Sequence, residues 1–206
     1  MSADNQGRPN GPRRLRSQAG AFAVEFALVF ICYMTFVFCV IEVARVVYIW
    51  NTLQEVTRRA ANAAANTDFT SASATSAVRQ DAVFRTSSGY LSAASPITDA
   101  HVRIDYMSLA RAAEGTMTLT PMAAGAMATS PARNKLACIS DQNGAGCIRF
   151  VRARICVPSA DPTVCDSVHD VPLLPLITVS VLKMPRSTTI ARAETLGYQS
   201  GQALGP

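Results

Sequence analysis

The stretch AFAVEFALVFICYMTFVFCVI, at residues 21–41, decides how this chain is organised. Glu25 is its only charged residue. As a helix these residues rise about 31 Å, which matches a hydrocarbon core of about 30 Å. The whole chain has 206 residues, of which 49% are hydrophobic and 16% charged, against roughly 25% charged in soluble domains. The stretch therefore predicts a membrane-spanning helix followed by one globular domain.

Basic residues precede this stretch and set its predicted orientation. The first twenty residues contain Arg8, Arg13, Arg14 and Arg16 against Asp4, so they contribute +3 of the formal charge of +5. The positive-inside rule then leaves the N-terminus in the cytoplasm and places residues after about position 48 outside. The remaining +2 argues against a nucleic-acid-binding surface, so we expect no nucleic-acid partner.

A cleaved secretory signal peptide is the competing interpretation of a basic segment followed by an apolar one. The apolar stretch is longer than the roughly 7–15 residues of a signal peptide, and no A-x-A-like site follows it. Glu25 also has a simple interpretation, since a carboxylate near the cytoplasmic end can reach the lipid headgroups.

Beyond the membrane stretch, apolar residues continue at helical spacing to about Asn66 and predict an amphipathic helix. They are Val43, Val46, Trp50, Leu53, Val56, Ala60 and Ala63. Residues 67–76 are small and polar and predict a linker, with a short helix at residues 76–91. Strand patterns follow at residues 100–107, 116–120, 148–157, 176–183 and 188–193.

These patterns predict an α+β fold in which the long helix packs on a small antiparallel β-rich head. We divide the chain into a leader at residues 1–20 and a transmembrane and amphipathic helix at residues 21–66. A linker with a short helix follows at residues 67–99, and the head occupies residues 100–206.

The cysteines fall into two groups. Cys32 and Cys39 lie in the apolar stretch, where we expect packing residues. Cys138, Cys147, Cys156 and Cys165 are spaced nine apart in the part predicted to be exported, where thiols oxidise to disulfides. A strand between Cys147 and Cys156 would hold them about 30 Å apart, which excludes that pair and with it 138–165.

Two disulfide schemes remain. We favour the local pairs 138–147 and 156–165 over the interlaced pairs 138–156 and 147–165. A metal site is disfavoured, because His169 follows Cys165 by four residues but no CxxC motif occurs.

Catalytic motifs are absent from the sequence, which has two histidines and no GxSxG, HExxH or phosphate-binding loop. His101 and Asp105 are interpreted as polar decoration of a strand. Arg149, Arg152 and Arg154 form a basic patch that could meet DNA or an acidic polysaccharide, but we favour a solvated strand edge that opposes aggregation. We therefore expect no enzyme, no cofactor and no metal.

The segment RSQAGAFAVEFALVF, with VIEVARVVYIWNTLQEVTRRAANAAA after it, resembles the TadE-like minor pilins of the tight-adherence (Tad/Flp) pilus system, in a stretch where TadE and TadF types are alike. The resemblance covers residues 16–65. It implies that an aspartyl prepilin peptidase cuts between Gly20 and Ala21, which leaves Glu25 and Phe26 at the start of the mature chain. The other partners it implies are minor pilins, the major Flp-like pilin and the inner-membrane pilus platform.

We therefore hypothesise that the protein has a pilin-like fold and is a minor pilin, or pseudopilin, of a type IV pilus of the Tad type. It would be anchored once in the bacterial inner membrane, with its head extracytoplasmic or carried at the pilus tip. There it would initiate or cap assembly for adhesion. The alternative is a single-pass envelope protein whose extracytoplasmic domain binds a ligand.

Overall fold

The computed structural model describes residues 15–159, 161, 163–169 and 184–201, with side chains from residue 20 onward. The strand predicted at residues 176–183 lies outside the described residues. The chain divides into two compact units, Met1–Ala44 and Arg45–Pro206. The first helix, α1 (Leu15–Asn66), contributes residues to both.

The described part of the first unit consists of the N-terminal portion of α1. Within the described residues, one helix, Gly20–Asn66, is long and apolar enough to cross a membrane, with a mean hydropathy of 2.4 in its most apolar window. None of that window is buried inside the protein. Its side chains therefore have no protein core to fill, as expected of a segment that lies in lipid.

The second unit has an antiparallel sheet of four strands in the order β2-β1-β3-β4. The strands are β1 (Val102–Arg111), β2 (Met117–Pro121), β3 (Phe150–Ile155) and β4 (Thr188–Arg192). Together with α1 they confirm the predicted α+β class. The four strands coincide, within a few residues, with those predicted at residues 100–107, 116–120, 148–157 and 188–193.

The core of this unit lies between α1 and one face of the sheet. Leu53, Val56 and Ala60 are buried there, as the helical spacing predicts, beside Val102 and Ala153 of the sheet. The hydroxyl of Thr57 lies 2.9 Å from that of Ser187 and 3.0 Å from that of Thr189. The buried face of the helix thus also makes polar contacts to β4 and the residue before it.

Between residues 43 and 50, the buried face of α1 differs from the predicted one. Trp50 is 45% exposed and Val43 is also exposed, whereas Ile49 and Arg45 are buried. The Nε of Arg45 donates a hydrogen bond to the carbonyl oxygen of Ala93 at 3.3 Å. This tertiary contact gives the buried guanidinium an acceptor. The type of residue alone therefore does not predict which residues at the start of this segment are buried.

Two short α-helices and two 3₁₀ turns, Asp99–His101 and Ala124–Ala126, also belong to the described unit. The helix α2 (Ala72–Ala82) starts earlier than the helix predicted at residues 76–91, because the Ser71 side chain caps it by accepting from the N–H of Ala74. It also ends earlier, at Ala82. The helix α3 (Pro131–Ser140) was not predicted. Ser130 caps it and Pro131 occupies its first turn.

Candidate functional site

The first candidate site lies on the apolar helix. It comprises the residues that the family resemblance implies for cleavage and the start of the mature chain: Gly20, Ala21, Glu25 and Phe26. All four lie in α1, and every side chain from residue 20 to residue 33 is exposed. Among the side chains that the structure describes, from residue 20 onward, none forms an ion pair with Glu25. An exposed carboxylate thus projects from an otherwise apolar surface.

Gly20 is unconstrained by packing. A Cβ placed on it would meet no atom within 4 Å. Glycine inside a helix costs about 0.5–1 kcal/mol relative to alanine, because it loses more backbone freedom on folding. The described structure therefore gives no packing reason for a glycine at this position.

Aromatic side chains flank the carboxylate. Phe26 is 63% exposed, and its ring stacks on that of Phe30 with centroids 6.0 Å apart. Cys32 and Cys39 are free and exposed on the same helix. Glu25, Cys32 and Cys39 recur every seven residues, so they share one stripe of the helix.

The second unit contains the four remaining cysteines as two local disulfides. Cys138 bonds to Cys147 and Cys156 to Cys165, each pair with its Cα atoms 4.8 Å apart. Because β3 separates Cys147 from Cys156, the structure agrees with the favoured scheme and differs from the interlaced one. The first disulfide joins α3 to the segment before β3, and the second closes the loop after it.

A cluster of three arginines around one carboxylate is the main feature that the sequence interpretation missed. Asp105 Oδ1 lies 3.1 Å from Arg103 Nε, and Asp105 Oδ2 lies 3.0 Å from Arg152 Nη2 and 2.7 Å from Arg154 Nη2. The Asp105 side chain is 10% exposed, and those of the three arginines are 17–20% exposed.

The interpretation of Arg152 and Arg154 as a solvated strand edge was wrong, because β3 is an inner strand between β1 and β4. The register opposes Asp105 to Arg152 and Arg103 to Arg154, which brings the four charges together. Arg149 is separate and donates to the carbonyl oxygen of Gln142 at 3.1 Å. Asp105 is accordingly a structural ion-pair centre rather than surface decoration.

His101 is also structural, and it lies in a single 3₁₀ turn before β1. Its Nδ1 accepts a hydrogen bond from the backbone N–H of Thr98 at 3.1 Å and lies 2.9 Å from the Thr98 hydroxyl oxygen. Burial lowers the pKa of His101, and the nearby Asp99 opposes that shift. The neutral ring is the form that can accept the backbone hydrogen bond.

Among the described residues, no group of three His, Cys, Asp or Glu side chains is placed to hold a metal ion. What the described site offers is a lone carboxylate on an exposed apolar helix, with a disulfide-bonded head on the same chain.

Within the described residues, these features fit a single-pass membrane protein with an α+β domain. The family model described as TadE-like protein matches residues 20–62, which is less than a quarter of the chain. Over this segment the chain is similar to TadE-like proteins, a family of the Tad pilus system. At a stringent threshold, no curated protein and no solved structure matches it.

Proposed function

We propose that this protein is a minor pilin, or pseudopilin, of a Tad-type pilus, which acts by assembly and not by catalysis. The carrying observation is Glu25, an exposed carboxylate on an apolar helix, inside the segment that matches TadE-like proteins. The proposed partners are an aspartyl prepilin peptidase, other minor pilins, the major Flp-like pilin and the inner-membrane platform.

The energetic argument concerns the charge of Glu25. An ionised acidic side chain at the centre of a bilayer costs at least about 2.5 kcal/mol on insertion scales, and less near the interface. Cleavage after Gly20 would create a new ammonium at Ala21. When such helices stack, Glu25 of one subunit pairs with the ammonium of a neighbour, and the pair is less costly than two separate charges. Glu25 then fixes the register of the helices.

The proposed processing site agrees with the local structure of Gly20. A glycine that packing does not require, and that weakens its helix, suits a peptidase cleft that must approach the backbone closely. Gly20→Leu should leave the precursor inserted in the membrane but uncut. Ala27→Leu, on the same exposed helix, is the matched control and should be cut normally.

The proposed orientation follows the basic leader, with the N-terminus cytoplasmic and the head outside. The two disulfides support this orientation, since such bonds persist in oxidising compartments. A head formed by most of residues 45–206 would crowd a thin filament at every step. We therefore propose that the protein is substoichiometric and lies at the tip or in an initiating complex, where it supports adhesion.

The experiment that tests this function replaces Glu25 by Gln and measures membrane insertion, processing and piliation in a strain that lacks the native copy. Insertion and cleavage should be retained, because the change removes a charge from lipid, while pilus formation should fail. Glu55→Gln is the matched control, since Glu55 lies on the same helix beyond the apolar stretch and pairs with Arg58 at 2.9 Å. It should leave piliation unchanged.

Normal piliation with Glu25→Gln would contradict the proposed pairing. It would favour the alternative of a single-pass envelope protein whose head binds a ligand.

A further inference from the structure

A cleft of about 560 Å³ lies beside the first half of β1, and all its lining residues belong to the second unit. The five consecutive residues Val102–Tyr106 line it. Side chains of a strand alternate between the two faces of a sheet, so a cleft that contacts both sets lies along the edge of the strand. The cleft therefore follows an edge of β1 that no other described strand covers.

The pairing of β1 shows which part of this edge has no partner strand among the described residues. β2 pairs only with Met107–Arg111, and the last bond on that side runs from the N–H of Met122 to the carbonyl oxygen of Tyr106. On the other side, the N–H of Cys156 donates to the carbonyl oxygen of His101. By alternation, odd-numbered residues of β1 bond towards β3, so the N–H and C=O of Ile104 point into the cleft.

Two residues that line the cleft each have a buried polar atom that lacks a partner within the described structure. The hydroxyl of Tyr106 and the Nε of Arg79 are both buried without a hydrogen-bond partner there, and both residues line the cleft. Tyr106 is only 7% exposed. Buried polar groups are nearly always satisfied, so these two atoms mark a place for a ligand or ordered water.

Both atoms are donors. Burial raises the pKa of Tyr106 to about 12, with Arg79 opposing the shift and Asp68 adding to it, so the hydroxyl keeps its proton at neutral pH. The guanidinium of Arg79 is charged and has no acceptor atom. Two donors, one of them cationic, suit a carboxylate.

The remaining walls of the cleft are mainly apolar. Its lining residues include Met122, Met127, Val157 and Pro158. Flexible methionine side chains adapt to ligands of varied shape. An exposed strand edge beside apolar walls is the arrangement that binds an extended peptide by adding a strand.

We propose that this cleft binds an extended peptide segment of a partner protein, which pairs with the backbone of Ile104 and directs a carboxylate to Arg79 and Tyr106. The inference does not depend on processing at Gly20 or on the role of Glu25. It assigns a recognition function to the head that the helix match does not cover.

The test uses the full chain in detergent micelles and three fluorescent probes. The first probe is an alternating valine and threonine pentapeptide with a free C-terminal carboxylate. The second is its C-terminal amide, and the third is the free acid with an N-methyl group on its central residue. We expect the free acid to bind roughly tenfold or more tightly than the amide, as for a charge-assisted hydrogen bond. N-methylation should also weaken binding, because it removes a strand-pairing donor.

Variants assign the contacts. Arg79→Gln and Tyr106→Phe should weaken binding of the free acid and bring its affinity close to that of the amide. Arg111→Gln is the matched control, because it removes the same charge from the exposed end of β1, outside the cleft. It should change neither affinity. A thermal unfolding curve for each variant separates loss of binding from loss of fold.

Three results would overturn the proposal. One is no binding of the free acid at any concentration at which the peptide remains soluble. Another is equal affinity for the acid and the amide in the native chain. The third is undiminished binding of the N-methylated probe, which would show anion binding without pairing to the strand edge.

Discussion

Asp105→Asn should destabilise the head strongly, because Asp105 is the one carboxylate among three guanidinium groups. Three ion pairs of 2.7–3.1 Å are lost, and Arg103, Arg152 and Arg154 remain close together with side chains only 17–20% exposed. Removing one partner of a buried pair costs about 3–5 kcal/mol. Since the arginines retain some solvent, we expect the lower end, about 3 kcal/mol.

The assay is chemical denaturation of the full chain in detergent, with the same detergent and salt for every variant. In thermal unfolding, a loss of about 3 kcal/mol lowers the Tm by roughly 6–12 °C for a domain of this size. Asp81→Asn is the matched control. Asp81 forms a comparable pair with Arg59 at 3.2 Å, but the two side chains are 67% and 36% exposed. Its loss should cost less than about 1 kcal/mol.

A second variant distinguishes loss of the Asp105 ion pairs from repulsion among the three arginines. Adding Arg154→Gln to Asp105→Asn removes one of the three crowded charges and should restore part of the lost stability. The reasoning is refuted if Asp105→Asn costs no more than Asp81→Asn, or if the added substitution only destabilises further.

The other predictions concern pH and redox state. Because the pKa of folded His101 is below its ordinary 6.5, the head should keep full stability above about pH 6.5 and lose some as the pH falls further; His101→Gln should flatten that dependence in urea titrations. Replacing Cys138 and Cys147 together by Ser should lower the free energy of unfolding by about 2.5–3 kcal/mol, whereas Ser at Cys32 and Cys39 should not change it. Non-reducing peptide mapping should recover 138–147 and 156–165, and finding 138–156 instead would refute the local pairing.

Much of α1 could be predicted, because a long apolar stretch and a helical repeat are local patterns. The repeat correctly identifies Leu53, Val56 and Ala60 as buried. It fails at Trp50 and Arg45, where hydrophobicity and charge give the opposite of the observed burial. The buried Arg45 donates a hydrogen bond to the carbonyl oxygen of Ala93, a contact between residues distant in sequence.

The arginine cluster shows what the sequence interpretation lacked. Arg103 and Asp105 alternate on one strand, and Arg152 and Arg154 do so on another, so each pair shares a face. That complementary spacing was a usable signal. Only the register between β1 and β3 shows that the two pairs meet, and the register is a long-range property.

The short helices show a different limitation. Ser130 followed by Pro131 is a helix-start signal that would have identified α3. The disulfide pairing, in contrast, could be predicted. A strand between Cys147 and Cys156 keeps these two cysteines apart and leaves few possible pairings. Sequence rules thus succeed where a single helix or strand limits the possible structures.

The most direct test of the central claim is the intact mass of the protein extracted from the membranes of a cell that has a Tad pilus system. The account predicts that the mature chain has lost residues 1–20 and begins at Ala21. The same measurement on Gly20→Leu should return the uncut chain. A native protein that retains the whole leader would contradict the proposal that it is a processed pilin.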